Sequence, residues 1–356
     1  MKKDSKLQRK NPKLLPRHFG EGSSRYPEST VMTDDMIGEN RYCSPSILSI
    51  PSRQRNADRS SKQSPIVVHS INIHSYSTKL FPKTMDETRF QGKTVVITGA
   101  GGNFGREGCL YFTQRGAKVA ALDKNLTSLQ ETIQEIKDKC NVDILSLECD
   151  VTSPESVQNV VAQIVEQFGS INYLWNNAGY QGQIKPTLEY DPGDFAMVMN
   201  INVTGMFVVL QAVGRQMAKQ ETGGSIVNTS SVAGLRGTPA MVAYSSSKAA
   251  VLAMTVSTAK DLAPYNIRVN AVSPALIGPG FMWTRQNELH AASGSPYYSS
   301  DPDEVAKGKI NSVPMKRLGS VEEVVKSVAF LLSDEASYTT ATNLVVDGGM
   351  AGGLKA

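Results

Sequence analysis

Residues 94–106 read TVVITGAGGNFGR, and the order of residue types along this stretch decides the fold. Thr94–Ile97 is a run of β-branched residues without charge, the pattern of a strand buried on both faces. Glycines follow at once at 99, 101, 102 and 105, and the stretch near 105–115 is amphipathic at helical spacing. A strand that turns through glycine into a helix lets backbone approach a pyrophosphate, whose charge the helix N-terminus stabilises. The glycine cluster has little meaning alone; its place between strand and helix supplies it.

Outward from this unit, short apolar runs alternate with amphipathic stretches. Residues 118–122, 144–147, 171–175, 225–228, 268–271 and 343–346 predict further strands, and the regions near 125–139, 154–168, 193–219, 242–263 and 320–333 predict helices. Buried strands alternating with helices make a parallel sheet covered on both faces. The expectation is an α/β chain: a single Rossmann-type, doubly wound domain with a seven-stranded parallel sheet flanked by helices. Residues 276–313, between the sixth strand and the last helix, are expected to form a lid, because connections this long are usually functional or disordered.

The chain has 356 residues, 40% hydrophobic and 20% charged, which suits a soluble globular enzyme. Its net charge of +4 is unevenly spread, since residues 1–84 hold 15 Lys/Arg against 7 Asp/Glu and the remainder is slightly acidic. An acidic body argues against nucleic acid as a partner. No run approaches about 18 uninterrupted apolar residues, so no membrane association is expected. Residues 1–84 lack sustained periodicity and are rich in Ser, Pro, Asn and basic residues. They read as a mostly disordered extension ahead of a catalytic domain at 85–356. The start, MKKDSKLQRKNPKLLPR, is basic and nearly free of acids, so a targeting segment and a dispensable tail both stay open. Cytoplasmic location is expected, with mitochondrial location as the alternative. Cys43, Cys109, Cys140 and Cys149 form no C-x-x-C pair and suit a reducing compartment. Only His290 lies beyond the first 84 residues, so no metal site is expected.

Candidate chemistry lies at two places. The second strand ends in Asp123, eighteen residues after Gly105, where a carboxylate can accept both adenosine-ribose hydroxyls and repel a 2′-phosphate. That favours NAD over NADP, although Lys124 beside it is a base that could hold the phosphate. Tyr244 and Lys248, in YSSSK, share one helix face one turn apart. A phenol with an ordinary pKa of about 10 must be lowered by roughly 4 kcal/mol to exchange a proton near neutrality. An ammonium about 4 Å away supplies that much at an effective dielectric of about 20. Ser231, at the end of the strand SIVNTSS, is placed to polarise a substrate carbonyl. Asn202 lies within a long predicted helix, an unfavourable place for an amide without a use.

Together these motifs resemble the short-chain dehydrogenase/reductase family over residues 88–350. They run in order as TGAGGNFG (98–105), CDV (149–151), NNAG (176–179), NINVTG (200–205), SSVAG (230–234), YSSSK (244–248) and NAVSP (270–274). The resemblance implies that Tyr244 is the acid/base, Ser231 orients the substrate, and Asn202 holds a proton-relay water beside Lys248. Gly99, Asn103, Phe104 and Gly105 would form the coenzyme turn. Asp150 and Val151 would contact adenine, Asn177 and Gly179 would line the coenzyme side, and Ile277 would meet the carboxamide. It also implies a homotetramer. Three departures stand out: Asn103 replaces the middle glycine, Ala275 the glycine after Pro274, and Ala341 the glycine after Thr340. Asn103 is expected to tolerate a left-handed backbone.

GAGGN, NNAGYQG (176–182), DLAPYNIRVNA (261–271) and IGPGFMW (277–283) are similar to a subgroup of bacterial NAD-dependent xylitol dehydrogenases. The implied reaction converts a secondary hydroxyl of a sugar alcohol to a ketone, for example xylitol to xylulose. Gln181 is the candidate for hydrogen bonding to a polyol, and Phe281, Met282 and Trp283 are candidates for capping the pocket. A 3-oxoacyl thioester or hydroxysteroid reductase is the alternative within the family. A non-catalytic dinucleotide-binding regulator is the alternative outside its chemistry.

Overall fold

Alternate residues of the first strand, β1 (Thr94–Thr98), face opposite sides of a sheet, and all five are buried. Val95 and Ile97 join Phe112, Val119, Trp175 and Val328 on one face. Val96 joins Leu122, Ile164, Leu174, Val209 and Ile226 on the other. A strand with two apolar neighbourhoods and no solvent face needs no polar alternation, which is why TVVIT carries none. The computed structural model describes residues 88–352 except Asn141 and Asp143. The expectations for residues 1–84, Cys43 included, lie outside the described residues.

β1 leads into α1 (Asn103–Gln114), followed by β2 (Lys118–Asp123), α2 (Leu126–Cys140), β3 (Leu145–Glu148), α3 (Pro154–Phe168) and β4 (Tyr173–Asn176). Then come α4 (Pro192–Met199), α5 (Met206–Lys219), β5 (Gly224–Thr229), the short α6 (Ala233–Arg236) and α7 (Val242–Leu262). The chain continues through β6 (Ile267–Pro274), α8 (Phe281–Ala291), α9 (Pro302–Ser312), α10 (Val321–Leu332) and β7 (Asn343–Val346). All seven strands are parallel, in the order β3-β2-β1-β4-β5-β6-β7. The doubly wound Rossmann-type sheet expected from the sequence is the one observed.

Local chemistry explains the helix starts. Ser153 caps α3 by accepting from the Ser156 N–H, with Pro154 at the first helical position. Asp191 caps α4 and Asp301 caps α9 in the same way, each followed by proline. Ser320 and Glu323 form a reciprocal capping box at α10.

Two expectations need correction. The helix expected at 193–219 is interrupted, because Asn200–Gly205 forms a widened π-helical turn between α4 and α5. The run Pro192–Lys219 is apolar and long enough, by composition, to cross a membrane. Val209, Leu210, Val213 and Met217 instead bury their side chains against the sheet. Residues 276–313 hold α8 and α9 rather than an irregular loop. Their ends are fastened where Ile277 bridges Gly319: the Gly278 N–H donates to the Gly319 carbonyl and the Gly319 N–H to the Leu276 carbonyl, each at 3.0 Å.

Ala341 occupies left-handed backbone at φ 59°, where a glycine would rest without strain. It is held there by its N–H donating to the Val269 carbonyl at 2.8 Å. Left-handed backbone costs an L-residue roughly 1–2 kcal/mol, partly offset by the greater unfolded freedom of glycine. Ala341→Gly should therefore raise the unfolding free energy by up to about 1 kcal/mol in urea titration; a loss of stability would show the strain to be absent.

Candidate active site

Parallel strands all end on one edge of the sheet, and their order reverses between β1 and β4. At such a switch point the helices diverge to opposite faces and leave a crevice. A cavity of about 400 Å³ opens there, walled by the segments that follow β1, β4, β5 and β6.

At the coenzyme end, Gly99 makes the turn with φ 69°. A Cβ on Gly105 would stand 2.2 Å from the Gly99 carbonyl oxygen, so α1 starts closer to the turn than any side chain permits. Asn103 is the first residue of α1, with right-handed helical backbone; the expected need for left-handed tolerance falls on Gly99 instead. Asn103 and Phe104 line the cavity, whereas Gly105 acts from behind it.

Asp123 lines the cavity too, its two oxygens fixed by the N–H groups of Gly101 and Asn125, each at 2.8 Å. Lys124 turns away and pairs with Asp150, Nζ to Oδ2 2.6 Å. That hydrogen bond, with others from Thr152, holds the Asp150 carboxyl down to about 2. In this position Lys124 does not line the cavity, and Asp123 is the charged side chain at its coenzyme end. Asp150 and Val151 stand outside the cavity wall, and Val151 packs against Gly205 of the widened turn. Asn177 is locked by its N–H to Thr98 Oγ1 at 2.9 Å and by Thr229 Oγ1 donating to its Oδ1 at 3.2 Å.

Tyr244 and Lys248 lie one turn apart on α7, and both line the cavity. Lys248 donates from Nζ to the Thr229 carbonyl at 2.8 Å and sits 5.6 Å from the centroid of the Tyr244 ring. Burial pulls its ammonium down to about 8. Burial also pushes the Tyr244 phenol up, against the direction expected from the sequence, while a hydrogen bond with Ser231 works the other way. Ser231 follows β5, lines the cavity, and accepts the Ala233 N–H at 3.1 Å.

Asn202 is buried in the widened turn and does not line the cavity. Its Nδ2 donates to the Tyr180 carbonyl at 2.8 Å and to Ser247 Oγ at 3.0 Å, and its Oδ1 accepts the Tyr180 N–H at 2.7 Å. The side chain thus staples the loop after β4 to α7. The neighbouring Gly179 leaves room for both charged and amide groups, since a Cβ there would lie 3.3 Å from Asn202 Oδ1 and 3.5 Å from Lys248 Nζ. Ser247, missed by sequence reasoning, relays the staple by donating to the Tyr244 carbonyl at 2.7 Å. Its signal was its place in YSSSK, three residues after Tyr244.

Ile277, Gln181, Met282 and Trp283 line the outer cavity; Phe281 does not, being 73% exposed. Gln286 joins them, with Nε2 donating to Gln181 Oε1 at 3.2 Å, and nothing in the sequence pattern marked it. Among the described residues no group of three or more His, Cys, Asp or Glu is placed to hold a metal ion.

A family model described as enoyl-(acyl carrier protein) reductase matches residues 99–351. An uncharacterised oxidoreductase of Thermotoga maritima is 40% identical over 264 residues, covering 73% of this chain and 98% of that protein. The chain belongs to the short-chain dehydrogenase/reductase family. Another family member, the 3-oxoacyl-[acyl-carrier-protein] reductase FabG of T. maritima, is 37% identical over 265 residues, 74% of this chain and 99% of that protein. The crystal structure of an NAD+-bound xylitol dehydrogenase superposes with a TM-score of 0.71 at 50% identity, covering 73% of this chain and 100% of that one. The protein is accordingly an oxidoreductase of the dehydrogenase/reductase type.

The Asn202 staple predicts a stability effect independent of turnover. Asn202→Leu removes three hydrogen bonds and leaves the Tyr180 N–H and carbonyl without their partner. It should lower the unfolding free energy by at least about 2 kcal/mol in urea titration; an unchanged midpoint would mean that the loop is held by other contacts.

Proposed function

We propose that this short-chain dehydrogenase oxidises a secondary hydroxyl of a sugar alcohol, such as xylitol, with NAD. The observation that carries the reading is the 50% identity with the NAD+-bound xylitol dehydrogenase over that protein's whole length. The site supports it. Asp123 faces the crevice with both oxygens fixed, suited to paired ribose hydroxyls, and Lys124 is engaged by Asp150. Two carboxamides, Gln181 and Gln286, stand in the outer cavity where a polyhydroxy chain would extend.

NAD supplies, when bound, the acceptor for the hydride that leaves the carbinol carbon. Tyr244 takes the hydroxyl proton, and Ser231, which lines the same cavity, holds the substrate oxygen. Burial opposes the phenolate, so the Lys248 ammonium and the positive nicotinamide ring must favour it; at neutral pH Lys248 is largely charged. Asn202 acts by fixing the loop and α7, on which Tyr244 and Lys248 stand. The second reading, reduction of a 3-oxoacyl thioester, is favoured by the 37% identity with the T. maritima reductase. The exposed apolar residues Met197, Phe207 and Val256 on α4, α5 and α7 support assembly into the proposed homotetramer.

NADH appearance with a panel of substrates tests the reading. Xylitol or a related pentitol should exceed 2-butanol in kcat/KM, and NAD should exceed NADP. Tyr244→Phe should lower turnover by roughly two to four orders of magnitude. Gln181→Leu should cost polyol efficiency about 1–3 kcal/mol, with little change for 2-butanol. Acetoacetyl thioesters or hydroxysteroids outperforming every polyol would overturn the substrate assignment, and no turnover of any substrate would favour a silent binding protein. Light scattering should give a mass of four chains; a monomer would remove the assembly.

A further inference from the structure

α8 and α9 enclose a polar cluster for which the proposed chemistry has no use. His290 and Asn287, on α8, are 1% and 3% exposed. From α9, Lys309 donates through Nζ to Asn287 Oδ1 at 2.7 Å and lies 3.1 Å from His290 Nδ1. The same Nζ stands 5.5 Å from the centroid of the Trp283 ring and 6.0 Å from that of Tyr298. No carboxylate pairs with it among the ion pairs of the described residues. A carboxamide oxygen and two aromatic faces meet its charge instead, as ring quadrupoles allow.

The protonation states are consistent with this arrangement. Burial, reinforced by the Lys309 charge, pulls His290 down to about 4, so the imidazole is neutral near pH 7. Its Nδ1 lies 2.7 Å from the Gln286 carbonyl oxygen, which can only accept, so Nδ1 carries the proton and donates. Lys309 therefore cannot donate to Nδ1, and Asn287 Oδ1 is its hydrogen-bond acceptor. Burial pulls Lys309 down to about 8, leaving it mostly charged at neutral pH.

A half-buried ammonium without a carboxylate partner is costly, and a leucine at this position would avoid that cost. The geometry gives the lysine another use. Positions 283, 286, 287 and 290 follow helical spacing and share one side of α8. Trp283 and Gln286 line the substrate cavity, and Gln286 reaches Gln181 across it. Asn287 and His290, next along the same side, are the residues that Lys309 meets.

We infer that Lys309 is a positioning residue for alcohol recognition: from α9 it sets the place of the α8 face that carries Trp283 and Gln286. It touches neither substrate nor coenzyme and acts through Trp283 and Asn287. The choice of probe substrate rests on the proposed polyol activity; the positioning itself does not.

The full-length protein and its Lys309→Met, Trp283→Leu and double variants test this with xylitol and NAD. Lys309→Met should raise the xylitol KM about tenfold, with kcat and the NAD KM within about twofold of the unsubstituted protein. The double variant should be no weaker than Trp283→Leu alone, because both changes remove one effect. Acrylamide quenching supplies a reading without substrate. Of the two tryptophans, Trp175 is 0% exposed, so quenching reports on Trp283 and should rise in Lys309→Met. Unchanged KM and quenching, additive losses in the double variant, or a parallel change of kcat and both KM values would each overturn the inference. If Lys309→Met does not fold, Asn287→Ala removes only the acceptor and should shift KM and quenching the same way; no shift overturns it. If the unsubstituted protein oxidises no polyol, the proposed function fails, and the quenching comparison still decides the role of Lys309.

Discussion

Lys248 is withdrawn from water by α7 and the end of β5, and the Thr229 carbonyl, 2.8 Å from Nζ, is the hydrogen bond that makes its burial tolerable. Thr229 is itself pinned from both sides. Its hydroxyl accepts from the indole N–H of Trp175, at the centre of one core, and donates to Asn177 on the coenzyme side. The charge at the site is thus wired through one threonine to the packing of β4 and β5. Gly179 and Asn202 complete the enclosure, one by giving space and the other by holding the loop to α7. A buried ammonium tolerates few alternative arrangements, because any displacement leaves it without a partner. That constraint keeps the phenol, the serine and the loop after β4 in one register.

Much of this was legible in the chain because it follows from period and punctuation. The strands announce themselves by short uncharged β-branched runs, and the turn after β1 by its glycines. Tyr244, Lys248 and Ser231 are legible for another reason: a helix face and a strand end give fixed relations between sequence distance and space. Asn202 was noticed as misplaced in a helix, and the structure explains it through a widened turn that aims its amide at the Tyr180 backbone. The widening itself was not legible, since NINVTG is compatible with an ordinary helical turn. Nor was the direction in which burial moves the Tyr244 phenol, because desolvation depends on which groups are packed around it and spacing says nothing of that.

The coenzyme end shows how a neighbour bears on an argument that sequence leaves divided. Asp123 and Lys124 are adjacent and opposed in their preference for a 2′-phosphate. Twenty-six residues on, Asp150 supplies a carboxylate 2.6 Å from the lysine. The pair is on the surface and adds little to stability. Its consequence is directional: it points the lysine along the outside of the strand ends, away from the crevice into which Asp123 faces.

The segment between β6 and α10 is where reading and structure part most widely, and the reason is instructive. Asp301-Pro302-Asp303-Glu304 carries a helix start in plain form, with a cap, a proline at the first position and acids in the first turn. α8 has no such signal and mixes aromatic with polar residues on its buried side. A helix whose inner face is Trp283, Gln286, Asn287 and His290 does not look amphipathic, because its interior is itself polar. Such a face is stable only if a second element satisfies it, and α9 does so with Lys309. Neither helix makes sense without the other, so the pair is a tertiary unit that a local pattern cannot show. The same mutual dependence gives it a bearing on recognition: the residues that hold the two helices together continue, along one side of α8, from those that face the cavity.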